Sequence, residues 1–121
     1  GQPVEEYLST TFLSELRKCS KEHGCTSNND GDTYSGLFLI GYRGKLFTVE
    51  GDFTLCEVKE TYNAIGSGEE FALGAMYATQ NSGLSPEERI RIALEAAGAL
   101  CSTAWGPHYI EKLEPAPEVA A

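Results

Sequence analysis

The sequence predicts an α+β fold, and three observations carry the prediction. Apolar residues recur at helical spacing from Val4 to Cys19, short apolar runs split by glycine turns fill the middle, and helical spacing returns after Gly68. The order reads α-β-β-β-α-α-β, without an internal repeat. Helices segregated from a meander of strands suggest a layer of helices on one face of a mostly antiparallel sheet. The other face is then left to water or to a further layer.

The first helix places Val4, Tyr7, Leu8, Phe12, Leu16 and Cys19 on one face, with Glu5, Glu6 and Glu15 opposite. Arg17, Lys18 and Lys21 lie near its end, where cations favour the helix dipole. Pro3 suits the first turn and Gly24 a stop. "GCTSNNDGDTYSG" is loop by composition. "LFLIGY" (Leu37 to Tyr42) and "KLFTVE" (Lys45 to Glu50), joined by Arg43-Gly44, form a hairpin. After Gly51-Asp52, "FTLCEV" (Phe53 to Val58) makes a third strand, and "NAIGSG" is a short run behind it.

In "EEFALGAMYATQ", Phe71, Ala75 and Ala78 share one side with Gly74, small residues that allow close approach to a neighbour. "SPEE" (Ser85 to Glu88) has the capping-box pattern with Pro86 at the first helical position. The helix it opens has a predicted buried stripe of Ile90, Ala93, Leu94, Ala97, Leu100 and Cys101. Gly106-Pro107 interrupts the chain, "HYIEKLE" (His108 to Glu114) alternates as a last strand, and "PAPEVAA" reads as a disordered tail. Residues 1–114 are expected to be a single domain and 115–121 the tail.

Composition narrows the functions. A chain of 121 residues with net charge -9 has the length of one domain and no Lys/Arg cluster to neutralise phosphates, which argues against nucleic acid. No stretch is long and apolar enough to span a membrane and the start has no signal-peptide pattern, so the expectation is a cytoplasmic protein. Cys19, Cys25, Cys56 and Cys101 are too dispersed for a disulfide framework and read as free thiols.

Candidate chemistry concentrates at few places. Cys19, His23 and Cys25 are close in sequence but lack the second ligand pair of a zinc site, so they read as a helix-end thiol and a surface histidine. Asn28, Asp30 and Asp32 alternate as in a calcium loop, but the glycine is misplaced and Leu39 stands where a bidentate glutamate belongs. Thr10, Thr11, Ser67 and the cysteines are possible nucleophiles, yet His23 and His108 are the sole histidine bases, and "AIGSG" is not a Gly-x-Ser-x-Gly elbow. Gly66-Ser67-Gly68 precedes a helix and could present N–H groups to an anion, but Glu69 and Glu70 repel phosphate there. Spacing leaves this stretch a turn, with or without a site function.

"LFLIGYRGKLFTVEGDFTLCEVKETYNAIGSGEEFALGAMYA" resembles the second half of proteasome β-type subunits, especially the bacterial proteasome-like peptidase HslV. "LSPEERIRIALEAAGALCSTAWGPHYIEKLE" is similar to the helix and strand that follow, and "PVEEYLSTTFLSELRKCSKEHG" to the helix before. The resemblance implies half of a four-layer α-β-β-α sandwich of the N-terminal-nucleophile hydrolases. The family's nucleophile is a threonine at the start of the mature chain; this chain opens Gly1-Gln2-Pro3, so the resemblance implies an N-terminal half that is missing here and a chain inactive alone. It further implies that Ser67 assists the threonine's proton exchange. The backbone carbonyls of Gly98, Cys101 and Ala104 would hold a monovalent cation such as sodium, with Ala104 where the family has threonine. A homo-oligomer and an ATPase unfoldase partner belong to the same implication. The alternatives are a non-catalytic oligomerising module that keeps this half of the fold, and a small-ligand binder built on the meander.

Overall fold

The structure is a computed structural model and describes residues 3–22 and 37–114, the Val4 side chain apart. Gly24, Asn28, Asp30, Asp32, His23, Cys25 and the tail from 115 onward therefore lie outside the described residues. The chain divides into two compact units, Gly1–Gly66 and Ser67–Ala121. Elements run α1 (Val4–Tyr7), a π-helical stretch (Leu8–Phe12), α2 (Leu13–Glu22), β1 (Phe38–Tyr42), β2 (Lys45–Val49), β3 (Leu55–Glu57), α3 (Glu69–Ala78) and α4 (Pro86–Leu100). The class is α+β, as the sequence predicts.

In the first unit the predicted helix forms but changes pitch at Leu8–Phe12. The Ser9 and Thr10 hydroxyls donate to the Glu6 carbonyl, competing with the backbone for that acceptor at the point where the ladder shifts. Thr10 and Thr11, once candidate nucleophiles, are thus helical and exposed. The sheet is antiparallel in the order β1-β2-β3. Phe38 opposes Val49 and Tyr42 opposes Lys45 across the hairpin, whose two turn residues, Arg43 and Gly44, have φ of 49° and 77°. Positive φ at both positions matches the right-handed strand twist, which is why a two-residue loop closes here.

β3 is shorter than its apolar run, because the chain folds back first. The Phe53 N–H donates to the Glu50 carbonyl at 2.8 Å, and the Glu50 N–H to the Thr54 carbonyl at 2.9 Å. The Thr54 N–H donates to Asp52 Oδ1 at 3.0 Å. This loop drives Phe53, at φ 63°, into the core of the unit with Leu13 of α2 and Val49 of β2. Leu16, Phe38, Ile40 and Leu55 pack around them. Arg17 lies over the Phe53 ring, 5.0 Å from its centre. Around the hairpin end, Lys45 pairs with Glu5 and, at 3.7 Å, with Glu57.

The second unit is built on α3 against α4. Ser85 caps α4 reciprocally: its hydroxyl accepts from the Glu88 N–H at 3.2 Å, and its own N–H donates to Glu88 Oε2 at 3.1 Å. The predicted capping box is therefore present. Met76 and Ala72 of α3 and Ala93 and Ala97 of α4 are buried. Arg89 joins the two helices, donating from Nη2 to the Met76 carbonyl at 2.7 Å and from Nε to Thr79 Oγ1 at 3.2 Å.

Three sequence expectations need correction. The buried stripe of α4 is narrower than predicted, since Ile90 is exposed and Leu100 is 65% exposed, leaving Ala93 and Ala97 as its buried residues. On α3 the buried face is Ala72 and Met76 rather than Phe71, Ala75 and Ala78, and a Cβ at Gly74 would meet nothing within 4 Å. Third, His108 to Glu114 forms no strand among the described residues, since alternation alone does not supply the ladder a strand needs.

Candidate functional site

The glycine turn owes its shape to both glycines. Gly66 and Gly68 have φ of 104° and 85°, a region that L side chains resist. Gly68 caps α3, and its carbonyl accepts the Phe71 and Ala72 N–H groups, each at 3.1 Å. Glu69 and Glu70 occupy the first turn, where negative charge stabilises the helix start. Ser67 stands between the glycines, exposed to solvent, and its hydroxyl has no partner among the described residues.

What lies behind Gly68 was not foreseen. A Cβ at that position would sit 3.1 Å from the Cβ of Ala104, 3.1 Å from that of Ala97 and 3.2 Å from that of Cys101. Two of the three residues implied as cation ligands therefore touch the turn that carries Ser67. The third, Gly98, is close to the same loop: a Cβ there would lie 3.3 Å from the Ala104 carbonyl oxygen and 3.2 Å from His108 Nε2. The structure brings Ser67, Gly98, Cys101 and Ala104 into one neighbourhood.

The polar atoms this neighbourhood offers are backbone carbonyls. Gly98 is in the last turn of α4, where carbonyls outrun their helical donors and the dipole favours positive charge. The Cys101 N–H takes the Ala97 carbonyl at 2.9 Å, and the Cys101 carbonyl accepts only a long 3.4 Å bond from the Ala104 N–H. Gly98 and Ala104 carbonyls accept no backbone bond among the described residues. Side-chain donors are a different matter: no group of three or more His, Cys, Asp or Glu that could hold a metal exists among the described residues.

The Cys101 thiol lies 3.4 Å from Thr103 Oγ1. That hydroxyl, and then the Thr103 backbone N–H, hold the thiol below its ordinary pKa. Cys19 and Cys56 are free thiols as well. His108 is exposed and borders a groove of about 390 Å³ lined by Arg91, Leu94, Glu95 and Ile110. Sequence reading missed the contact behind Gly68, although its signal was present: Ala97, Cys101 and Ala104 recur at helical spacing and are all small.

Known proteins place the chain in a recognisable context. No protein-family model matches the chain. It is 38% identical over 66 residues, 54% of its length, to the ATP-dependent protease subunit HslV of Caldicellulosiruptor saccharolyticus. It is 35% identical over 86 residues, 68% of its length, to a proteasome subunit beta of Frankia casuarinae. Among solved structures, Thiobacillus denitrificans BPH superposes with a TM-score of 0.60 at 30% identity over 74% of the chain. The chain resembles part of a proteasome/HslV-like subunit. The same neighbour in complex with epoxomicin superposes with a TM-score of 0.59. The chain spans 38% and 31% of the two curated relatives and 48% of the solved neighbour. No helix among its described residues is long and apolar enough to cross a membrane.

Proposed function

We propose that this chain is the part of a threonine-type peptidase subunit that supports the nucleophile rather than supplying it. The observation that carries the reading is the convergence of the Ser67 turn with the carbonyl-rich end of α4, in a chain similar to HslV and proteasome β subunits. In the whole subunit, a threonine α-amine acts as base toward its own hydroxyl, which attacks the peptide carbonyl. The Ser67 hydroxyl, exposed and without an internal partner among the described residues, relays the proton between amine and hydroxyl. The backbone carbonyls of Gly98, Cys101 and Ala104 would hold a monovalent cation, which would supply charge neutralisation at the helix end.

On this reading a polypeptide of these 121 residues hydrolyses no peptide alone. The test is a fluorogenic peptide assay with epoxomicin labelling followed by mass spectrometry. The expected result is no turnover and no adduct; turnover abolished by Ser67→Ala, or an adduct on Thr10 or Thr11, would overturn the assignment.

Assembly is the second part of the proposal. Leu100, Trp105, Tyr109 and Leu113 are 65%, 74%, 84% and 89% exposed, an apolar stretch that favours burial against another chain. We propose a cytoplasmic homo-oligomer, with an ATPase partner for the whole assembly in keeping with the name of the HslV relative. Light scattering at rising concentration should show a mass above the monomer; a constant monomeric mass would count against it.

A further inference from the structure

Gly68 packs directly on the loop that follows α4. A Cβ there would fall 3.1 Å from those of Ala97 and Ala104 and 3.2 Å from that of Cys101. No flexible side chain intervenes, so displacement of the loop has no soft element to absorb it. Close-packed contacts of this kind transmit small shifts instead of damping them. The loop is also internally tied: Cys101 and Ala104 share a backbone bond at 3.4 Å, and the Ala104 carbonyl lies against the backbone of Gly98. Any change that draws those three carbonyls together moves the α-carbons on which Gly68 rests.

We infer that Gly68 is a positioning residue that couples cation occupancy of the α4 loop to the placement of Ser67. The coupling rests on the reading of Ser67 and the loop given above and adds a route between them: carbonyls of 98, 101 and 104, the Ala104 and Cys101 Cβ atoms, the Gly68 backbone, and Ser67 one bond away. The side chain at position 104 then sets how firmly the two are joined. Alanine there is small enough to seat the glycine, and its carbonyl is independent of its side chain.

Amide NMR shifts of the 121-residue chain, titrated with sodium or potassium chloride against choline chloride at constant ionic strength, test the route without an activity readout. Ser67 and Gly68 should shift along with Gly98, Cys101 and Ala104, their apparent affinities agreeing within about twofold, as one linked equilibrium requires. Ala104→Val, which wedges the contact, and the milder Ala104→Gly, which loosens it, should each reduce the response at Ser67 and Gly68 by about half or more while the loop still responds. If the loop responds and Ser67 and Gly68 do not, the coupling is wrong and the cation reading stands. If neither responds to sodium or potassium, the cation reading fails and takes the coupling with it.

Discussion

Alanine at Gly68, Gly66 and Gly74 separates contact from backbone strain. At Gly68 the substitution meets both. A left-handed φ of 85° costs an L residue about 1–2 kcal/mol. The new methyl also lands 3.1–3.2 Å from three Cβ atoms, crowding of a kind that costs about 1–3 kcal/mol. Reduced freedom of the unfolded chain returns about 0.4–1 kcal/mol, leaving a net loss of about 2–3 kcal/mol. Gly66 has φ 104° and open space around its Cβ, so Gly66→Ala carries only the strain, about 1–2 kcal/mol before the same unfolded-chain return and about 0.5–1 kcal/mol after it. Gly74, helical and with nothing within 4 Å, should gain about 0.5–1 kcal/mol as alanine. At about 4 °C per kcal/mol for a chain of this size, thermal unfolding by circular dichroism should put Gly68→Ala about 8–12 °C below the parent and Gly74→Ala about 2–4 °C above it. If Gly68→Ala melts no lower than Gly66→Ala, Gly68 does not touch the α4 loop and the argument built on that contact fails.

Other expectations follow from single contacts. Arg89→Lys keeps the charge but loses the two-pronged bond to the end of α3 and should cost about 1–2 kcal/mol by urea unfolding; an unchanged midpoint would remove Arg89 as the link between the helices. Asp52 is held below the ordinary aspartate pKa by the Thr54 hydroxyl and N–H, so its contribution is present above that ordinary value and is lost as pH falls through the lowered one. Urea midpoints measured from about pH 5 down to about pH 2 should fall less steeply in Asp52→Asn than in the parent. For Cys101, Thr103→Val removes the first hydrogen bond to the thiolate, so the pH midpoint of iodoacetamide alkylation at Cys101, read by peptide mass spectrometry, should move up. An unchanged midpoint would assign the lowered value to the Thr103 backbone N–H instead.

The legible parts of the fold are those decided by residues near in sequence. The Ser85–Glu88 box, the Arg43-Gly44 turn and the helical spacing of Leu8, Phe12 and Leu16 each rest on local chemistry. Where the outcome depends on a distant neighbour, the pattern misleads. His108 to Glu114 alternates as a strand should, but alternation states only that two faces differ; without an adjacent ladder its N–H and C=O groups have no reason to line up. The π-helical pitch at Leu8–Phe12 lay between these cases. Ser9 and Thr10 signal competition for a carbonyl, but the signal does not reveal which carbonyl.

The site divides in the same way. Sequence alone left "AIGSGEE" a turn of open purpose, because a glycine that needs a left-handed φ and a glycine that needs room for a neighbour look identical in a string of letters. The structure separates the two demands. Gly66 meets only the first, since its Cβ position is empty, while Gly68 meets both. That difference changes what the alanines at 97 and 104 are for. From the sequence Ala97 reads as part of a buried helical stripe and Ala104 as the source of a carbonyl, yet each side chain lies against the backbone of the residue after Ser67. Larger side chains there would push the turn outward and displace the hydroxyl. The smallness of Ala97 and Ala104 is thus a condition on where Ser67 stands; helical spacing marks them as small neighbours of one another but does not say which distant backbone they seat.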